Sequence, residues 1–171
     1  MASFIDKKTG SINLSNEWVL VPGLSVESLH NLIGARVSGS DGKTRWFSHI
    51  LVESRYGQLD LTLNFDPEFL TSVKINLKTE FKTSEASKKT KHDQMLTSLL
   101  GPPTSEKSLV SSEIVRMLCK TIRYEWPKLA KEVTWEFPWG SVVSTVDMHN
   151  KVAEFWLMWN ANVPATEKVA H

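Results

Sequence analysis

The sequence lacks most of the features that announce a particular partner or compartment. It has one cysteine, Cys119, in 171 residues, and its 20 basic and 19 acidic residues nearly cancel. A single cysteine cannot form an internal disulfide, which favours a reducing compartment. A formal net charge of +1 gives no general electrostatic reason for binding nucleic acid or an anionic membrane. We therefore expect neither of these partners.

Long apolar runs and diagnostic motifs are also missing. No apolar run approaches the roughly 20 residues that a membrane-spanning helix requires. The first ten residues carry lysines after their only apolar pair, so they predict no signal peptide. The sequence contains no Cys-x-x-Cys, no His-Glu-x-x-His and no dinucleotide-binding glycine pattern. These absences predict a cytoplasmic protein without a cofactor or metal, and they make an enzyme the less favoured class.

Tryptophan is abundant and unevenly placed. Five of the seven tryptophans lie between Trp126 and Trp159. Trp135 and Trp139 share one side of a strand if alternate residues face the same way, which favours a place in the core. Residues 155 to 159 put large apolar groups on both faces, so either Trp156 or Trp159 is expected to meet solvent. The alternative is a binding role for all four, Trp135, Trp139, Trp156 and Trp159.

The first half of the chain predicts a helix followed by a meander of strands. Ser25 as a cap and Gly34 as a stop predict a short helix over 26–33. Beyond it the apolar period becomes two, with strands around residues 59–65 and 73–77. Residues 66–68 and 40–43 have the composition of tight turns.

The second half predicts the same order. A polar connector over 78–91 precedes a helix that the spacing of Thr90 and Asp93 would cap and Gly101 would end. An amphipathic pattern predicts a longer helix over 106–124. Three strands are expected near 132–138, 140–147 and 151–159.

These elements predict an α+β fold in which two helix-then-meander blocks build an antiparallel sheet and the helices pack on one side. We expect one globular domain over 1–160, with a pseudo-repeat of 11–77 and 90–160, and a flexible tail over 161–171.

Few residues suggest chemistry. Asp147 and His149 would point the same way on a regular strand and could orient an imidazole or help to bind a metal, although no third ligand accompanies them and a turn is the favoured explanation. His92 is expected at the edge of the core. Cys119 lies on the predicted amphipathic helix and is expected to be a structural thiol rather than a nucleophile.

The segment from His92 to Trp159 resembles small bacterial proteins of the immunity or inhibitor type. In those proteins a helix ending in Leu-Gly-Pro precedes an aromatic strand, a Trp-Gly turn and a hairpin that contains aspartate. Here the elements read Leu99-Leu-Gly-Pro102, Trp135-Glu-Phe-Pro-Trp-Gly140 and Ser144-Thr-Val-Asp147. The match covers less than half of the chain and contains no reactive group. It implies a binder of a cognate toxin or enzyme and assigns no functional residue.

Three functions follow as hypotheses. The first is a non-catalytic protein-binding module, with an immunity protein and its toxin as the case that the resemblance implies. The second is a carrier or sensor that holds a small apolar ligand in a pocket lined by tryptophans. The third is an enzyme in which Asp147, His149 or His92 meets groups distant in sequence.

Overall fold

Strands make up most of the described part of the chain. A computed structural model describes residues 4–14, 18–30, 39–54, 56–78, 84–110, 130–147 and 152–160. Its strands are β1 Ile12–Asn13, β2 Val19–Leu20, β3 Gly39–Ser40, β4 Arg45–Ser54, β5 Gly57–Phe65, β6 Leu70–Leu77, β7 Ser105–Ser108, β8 Lys131–Phe137, β9 Gly140–Asp147 and β10 Val152–Trp159. Within these ranges there are one α-helix, α1 Glu85–Leu100, and one 3-10 helix, Glu27–Leu29.

Eight of the strands form a single antiparallel sheet in the order β3-β4-β5-β6-β10-β9-β8-β7. Strands β3 to β6 are neighbours in chain order, and so are β7 to β10, so each set is a meander. The two meanders meet through their last strands, where Phe155 stands opposite Ile75 and Leu157 opposite Val73. The centre of the sheet is therefore made by residues far apart in sequence.

Short polar turns connect the strands, as the composition predicts. In the β3–β4 turn the carboxylate of Asp41 accepts hydrogen bonds from the backbone amides of Thr44, at 2.6 Å, and Lys43, at 2.9 Å. These bonds lower the pKa of Asp41 because they stabilise its charged form. In the β5–β6 turn the amide of Asp66 donates to the carbonyl of Phe69 at 2.9 Å.

The sheet has one apolar face and one polar face, because alternate residues of a strand point to opposite sides. The apolar face packs against α1, whose His92 ring lies 5.2 Å from the ring of Phe155. We call it the helix-side face. Its buried side chains include Leu59, Leu61, Leu63, Phe65, Val73, Ile75, Val133, Trp135, Val142, Phe155 and Leu157. The opposite side, the outer face, carries Asp60, Thr62, Asn64, Ser72, Lys74, Asn76, Glu154, Trp156 and Met158.

Helix α1 is fastened to the sheet by polar contacts at both ends. The hydroxyl of Ser84 caps its first turn by accepting from the amide of Ser87. The Glu85 carboxylate accepts from the backbone amide of Ala153 in β10 at 2.9 Å. At the far end, the carbonyl of Gly101 accepts from the Trp135 indole at 2.9 Å.

The amino-terminal segment closes the core beside the helix. Strands β1 and β2 pair as a small separate sheet, and Ile5 bridges to Ile12. The side chains of Phe4, Ile5 and Ile12 are buried in the same cluster as those of the large sheet. The amino-terminal segment thus contributes buried apolar side chains to the core.

The predicted fold class is wrong. The sheet dominates the described residues, and α1 is their one α-helix, so the architecture is closer to all-β than to α+β with helices in two blocks. The antiparallel sheet itself is confirmed, as are the strands predicted near 59–65, 73–77, 132–138 and 140–147. The strand predicted over 151–159 is β10.

The individual helix predictions have different outcomes. Residues 105–108, where a long helix was expected to begin, form the edge strand β7 and pair with Lys131–Thr134 of β8. Pairing with β8 satisfies the backbone there, and intrinsic helix propensity is too weak to outweigh that. The rest of the predicted helix over 106–124 lies mainly outside the described residues. Of the helix predicted over 26–33, Glu27–Leu29 form a 3-10 turn and His30 is helical, while residues 31–33 lie outside the described residues.

Helix α1 ends at Leu100, before Gly101, as predicted, but it begins earlier than the sequence indicated. Its cap is Ser84 rather than Thr90, so it occupies the second half of the segment expected to be a polar connector. The side chain of Lys89 explains the error. It is fully buried and its ammonium contacts both carboxylate oxygens of Asp93, at 2.6 and 2.7 Å, so a residue that looks solvated belongs to the interior.

Candidate functional site

Three of the four tryptophans named as candidate binding residues lie in the core. Trp135, Trp139 and Trp159 are 1%, 4% and 8% exposed. Each indole N–H donates to a backbone carbonyl of the protein itself, those of Gly101, Lys7 and Gly10 respectively. Buried indoles need such acceptors, and here the chain supplies all three. The arrangement makes these residues structural.

Trp139 and Trp159 hold the amino-terminal segment between them. Gly10 has a φ of +73°, and a side chain there would place its Cβ 2.5 Å from Trp139 and 2.8 Å from Trp159. Glycine is required both by the backbone conformation and by the space. The two indoles therefore clasp residues 7–10 and fix them against the sheet.

Trp156 is the exception, because it lies on the outer face. Its side chain is half-buried, and its indole N–H donates to the side-chain carboxylate of Glu154 at 2.7 Å. The ammonium of Lys74, from the neighbouring strand β6, lies 5.3 Å from the centre of the indole ring and 3.5 Å from the Glu154 carboxylate. A cation at this distance is attracted by the face of the ring. Trp156, Lys74 and Glu154 thus form a closed triad of mutual contacts.

The triad is held in place by the rigid centre of the sheet. Lys74 and Trp156 stand directly opposite each other on β6 and β10. Glu154 is buried, and its carboxylate receives both the indole and the ammonium. A buried carboxylate with a charge partner and a hydrogen-bond donor keeps a defined position. An aromatic side chain that reaches solvent is therefore presented in one orientation.

Apolar side chains accompany Trp156 on the outer face. Met158, two residues along β10, is 39% exposed, and Leu51 on β4 is 55% exposed. Trp46 is half-buried and stands opposite Asn64 of β5, on the same face. The outer face thus carries partly exposed apolar groups beside the charges of the triad.

A second polar cluster on the outer face has no counterpart in the sequence predictions. The register of β4 and β5 shifts between Phe47 and Ile50, and the bulge puts His49 in a left-handed conformation with φ of 59°. The His49 Nδ1 atom lies 3.4 Å from a carboxylate oxygen of Asp60, and the ammonium of Lys78 lies 3.1 Å from the same oxygen. The side chain of His49 is 86% exposed, so it sits on open surface rather than in a cleft.

Of the residues proposed for an active site, the two that the structure describes, Asp147 and His92, lie on opposite faces of the sheet. Asp147 is half-buried at the end of β9, opposite Val152, and alternation places it on the outer face. His92 lies under α1 against Phe155, on the helix-side face. The sheet therefore separates the two side chains. His149 and Cys119 lie outside the described residues.

His92 is buried without hydrogen bonds. Its side chain is fully inaccessible, and neither ring nitrogen has a partner. Burial, together with the nearby positive charges of Lys89 and Lys88, lowers the pKa of His92 to about 3. The imidazole is therefore neutral in the folded protein at physiological pH, and it acts as an aromatic core residue.

The pKa of Lys89, on the same helix, is also lowered. Burial disfavours its charged form, while its contacts with the Asp93 carboxylate act in the opposite direction.

In the described ranges no group of three or more His, Cys, Asp or Glu side chains is arranged to hold a metal ion. The one α-helix described there is too short and too polar to cross a membrane.

Comparison with known proteins finds no match: neither protein-family models, nor the curated proteins, nor the solved structures contain a significant relative of this chain.

Proposed function

We propose that the chain is a non-catalytic protein-binding module and that its outer face is the binding surface. The observation that carries the proposal is the triad of Trp156, Lys74 and Glu154. It presents a half-buried indole, oriented by hydrogen bonding, on a sheet whose opposite face is occupied by core packing. Oriented aromatic residues with charged neighbours are the usual anchors of protein interfaces.

The extent of the outer face favours a protein over a small molecule. A sheet face built from four or five neighbouring strands offers a broad area, whereas small-molecule sites are concave and enclose most of the ligand. The three indoles that could have lined an apolar pocket, those of Trp135, Trp139 and Trp159, are closed by the protein's own packing and carbonyls. These observations favour the first hypothesis over a carrier of small ligands.

The resemblance to immunity proteins extends the proposal to the type of partner. A module of this kind would act in the cytoplasm and occlude a cognate toxin. The first candidates to test are therefore proteins encoded beside its gene.

The experiment compares two single variants in calorimetric titrations with such a candidate. Trp156→Ala should weaken binding by a factor of about ten or more. Truncating a central aromatic anchor of an interface typically costs about 2 kcal/mol of binding free energy. Phe69→Ala is the matched control, since Phe69 is 53% exposed in the β5–β6 turn, off the outer face. It should leave the affinity unchanged. Loss of affinity in the control, with none in Trp156→Ala, would overturn the proposal.

A further inference from the structure

Helix α1 presents two different kinds of side chain to the sheet. Its buried residues are Lys89 and His92 in the amino-terminal half, residues 85–92, and Leu96 and Leu100 in the carboxyl-terminal half, residues 93–100. Burial of leucine is favourable, whereas a lysine or histidine loses hydration that only hydrogen bonds or ion pairs can replace. The two halves of the helix are therefore held against the sheet with unequal strength.

The carboxyl-terminal half is anchored by apolar packing and by a hydrogen bond. Leu96 and Leu100 belong to the same buried cluster as the side chains of the helix-side face. The carbonyl of Gly101, directly after the helix, accepts from the Trp135 indole of β8 at 2.9 Å. This end of the helix thus has the contacts of an ordinary core element.

The amino-terminal half covers polar atoms that the closed fold leaves unsatisfied. His92 lies against Phe155 of β10, and Ser144 of β9 stands directly opposite Phe155 on the same face of the sheet. His92 and Ser144 are fully buried, and among the described residues neither the two imidazole nitrogens nor the hydroxyl have a hydrogen-bond partner. A buried polar atom without a partner costs free energy that contact with water returns. Lifting this half of the helix would therefore hydrate all three atoms.

The surroundings of His92 oppose its protonation while the helix is docked. Strands β9 and β10, on which it rests, turn only uncharged side chains to the helix along their described lengths. Burial, with the positive charges of Lys89 and Lys88, holds the pKa of His92 at about 3, so the proton that the docked form excludes binds once the imidazole meets water. The other charged groups near this end of α1 are Glu85 and Asp93 on the helix, Lys131 on β8 and Glu106 on β7.

From this asymmetry we infer that α1 is a pH-sensitive latch, whose amino-terminal half lifts from β9 and β10 in acid while its carboxyl-terminal half stays docked. Lifting breaks the hydrogen bond from the Ala153 amide to the Glu85 carboxylate and uncovers the helix-side face around Phe155. The outer face is unchanged by this motion. The inference therefore stands apart from the proposed binding function, and the two can fail separately.

Native-state hydrogen exchange of the full chain measures the opening of each half separately. The probes are the backbone amides of residues 89–92 and of residues 97–100, compared after correction for intrinsic exchange rates. Near neutral pH the first group should be about tenfold less protected than the second, because its opening hydrates unsatisfied polar atoms. Between about pH 7.5 and 5 the opening equilibrium of the first group should rise by about thirtyfold, because only the open form binds the proton. Equal protection of the two halves, or no rise in acid, would overturn the inference.

Two histidine variants assign the acid response. His92→Phe keeps an aromatic ring beside Phe155 and removes the titrating group, so the thirtyfold change, roughly, in residues 89–92 should disappear. His49→Gln is the matched control, because the His49 side chain is 86% exposed on the outer face, and it should retain the full change. A response that persists in His92→Phe, or one that is lost in His49→Gln, would contradict the latch.

Two serine variants test the unsatisfied atoms without a change of pH. Ser144→Ala removes the hydroxyl that lacks a partner in the docked form, so protection of residues 89–92 should increase by about three- to tenfold. Ser141→Ala lies on the same strand but on the outer face, opposite Met158, and should leave their protection unchanged. Unchanged or reduced protection in Ser144→Ala would contradict the inference.

Discussion

The two faces of the sheet use tryptophan in opposite ways. On the helix-side face, Trp135, Trp139 and Trp159 donate to main-chain carbonyls and are sealed from solvent. On the outer face, Trp156 donates to a side chain, Glu154, and carries a lysine beside its ring. The comparison assigns stability to the first group, and under the proposed binding function recognition falls to the second.

The largest effect should come from truncating the helix-side face. Trp135→Ala removes a fully buried side chain and leaves the Gly101 carbonyl without its donor, so we expect a loss of about 3 to 5 kcal/mol in the free energy of unfolding. Trp156→Ala should cost about 1 kcal/mol, because the side chain is only half-buried. Urea denaturation of both variants checks the difference. Equal losses would mean that the two faces are not specialised.

The clasp around Gly10 gives the next effect. Gly10→Ala forces a side chain into a left-handed backbone and against two indoles, at an expected cost of about 3 kcal/mol. Gly42→Ala is the control, because Gly42 has a similar φ of +88° but open space around its Cβ position. It should lose only about 1 kcal/mol. Thermal denaturation measures both, and similar losses would show that the clasp adds nothing.

His92 makes the stability of the helix-side face depend on pH. Its folded pKa of about 3 lies below the value of 6.5 for an ordinary histidine, so the unfolded chain takes up a proton that the folded chain excludes. The contribution of the neutral His92 imidazole to the free energy of unfolding is complete above pH 6.5. It is lost as the pH falls from 6.5 towards 3, because the unfolded chain then binds a proton that the folded chain does not. We expect about 2 kcal/mol of this loss between pH 6.5 and 5.

The variant His92→Phe isolates that contribution. It keeps an aromatic ring beside Phe155 and removes the titrating group, so the fall in stability between pH 6.5 and 5 should be shallower than in the wild type. Denaturant titrations at several pH values give the two slopes. Parallel slopes would contradict the assignment to His92.

The smallest effect is expected within the triad. Glu154→Gln keeps an acceptor for the Trp156 indole but removes the charge next to Lys74, and it should cost about 1 kcal/mol or less. Its clearer readout is the fluorescence of Trp156, which should change as the lysine loses its partner. Glu106→Gln, which breaks the exposed ion pair with Lys131, is the control and should leave the emission unchanged. A change in emission of the same size in Glu106→Gln would show that the effect is not specific to the triad.

Strand positions could be predicted because alternation is local. The period of two in residues 59–65 and 132–137 arises because each strand has one side facing solvent and one side facing the core. The same alternation predicted that Trp135 lies in the core. The same alternation along β10 separates Trp156 from Trp159, although only the structure shows which of the two meets solvent.

The failures arise where distant partners decide the outcome. Residues 105–108 become a strand because Lys131–Thr134 of β8 pair with them. The clasp of Gly10 by Trp139 and Trp159 joins the two ends of the described chain. None of these contacts leaves a local pattern in the sequence.

The outer-face site was only partly visible for a similar reason. Trp156 could be named as a candidate, but Lys74 and Glu154 looked like ordinary polar positions on wet strand faces. The pairing of β6 with β10 brings them together, and it depends on the order of all eight strands. The bulge that brings the side chain of His49 next to Asp60 could not be predicted from the composition of the strand either.

The specialisation of the two faces is tested most directly by the indole N–H spectrum of the protein in complex with its partner. The account predicts that, among Trp135, Trp139, Trp156 and Trp159, only the signal of Trp156 moves on binding. Shifts at the three helix-side indoles with an unchanged Trp156 would contradict it and place the binding surface on the other side of the sheet.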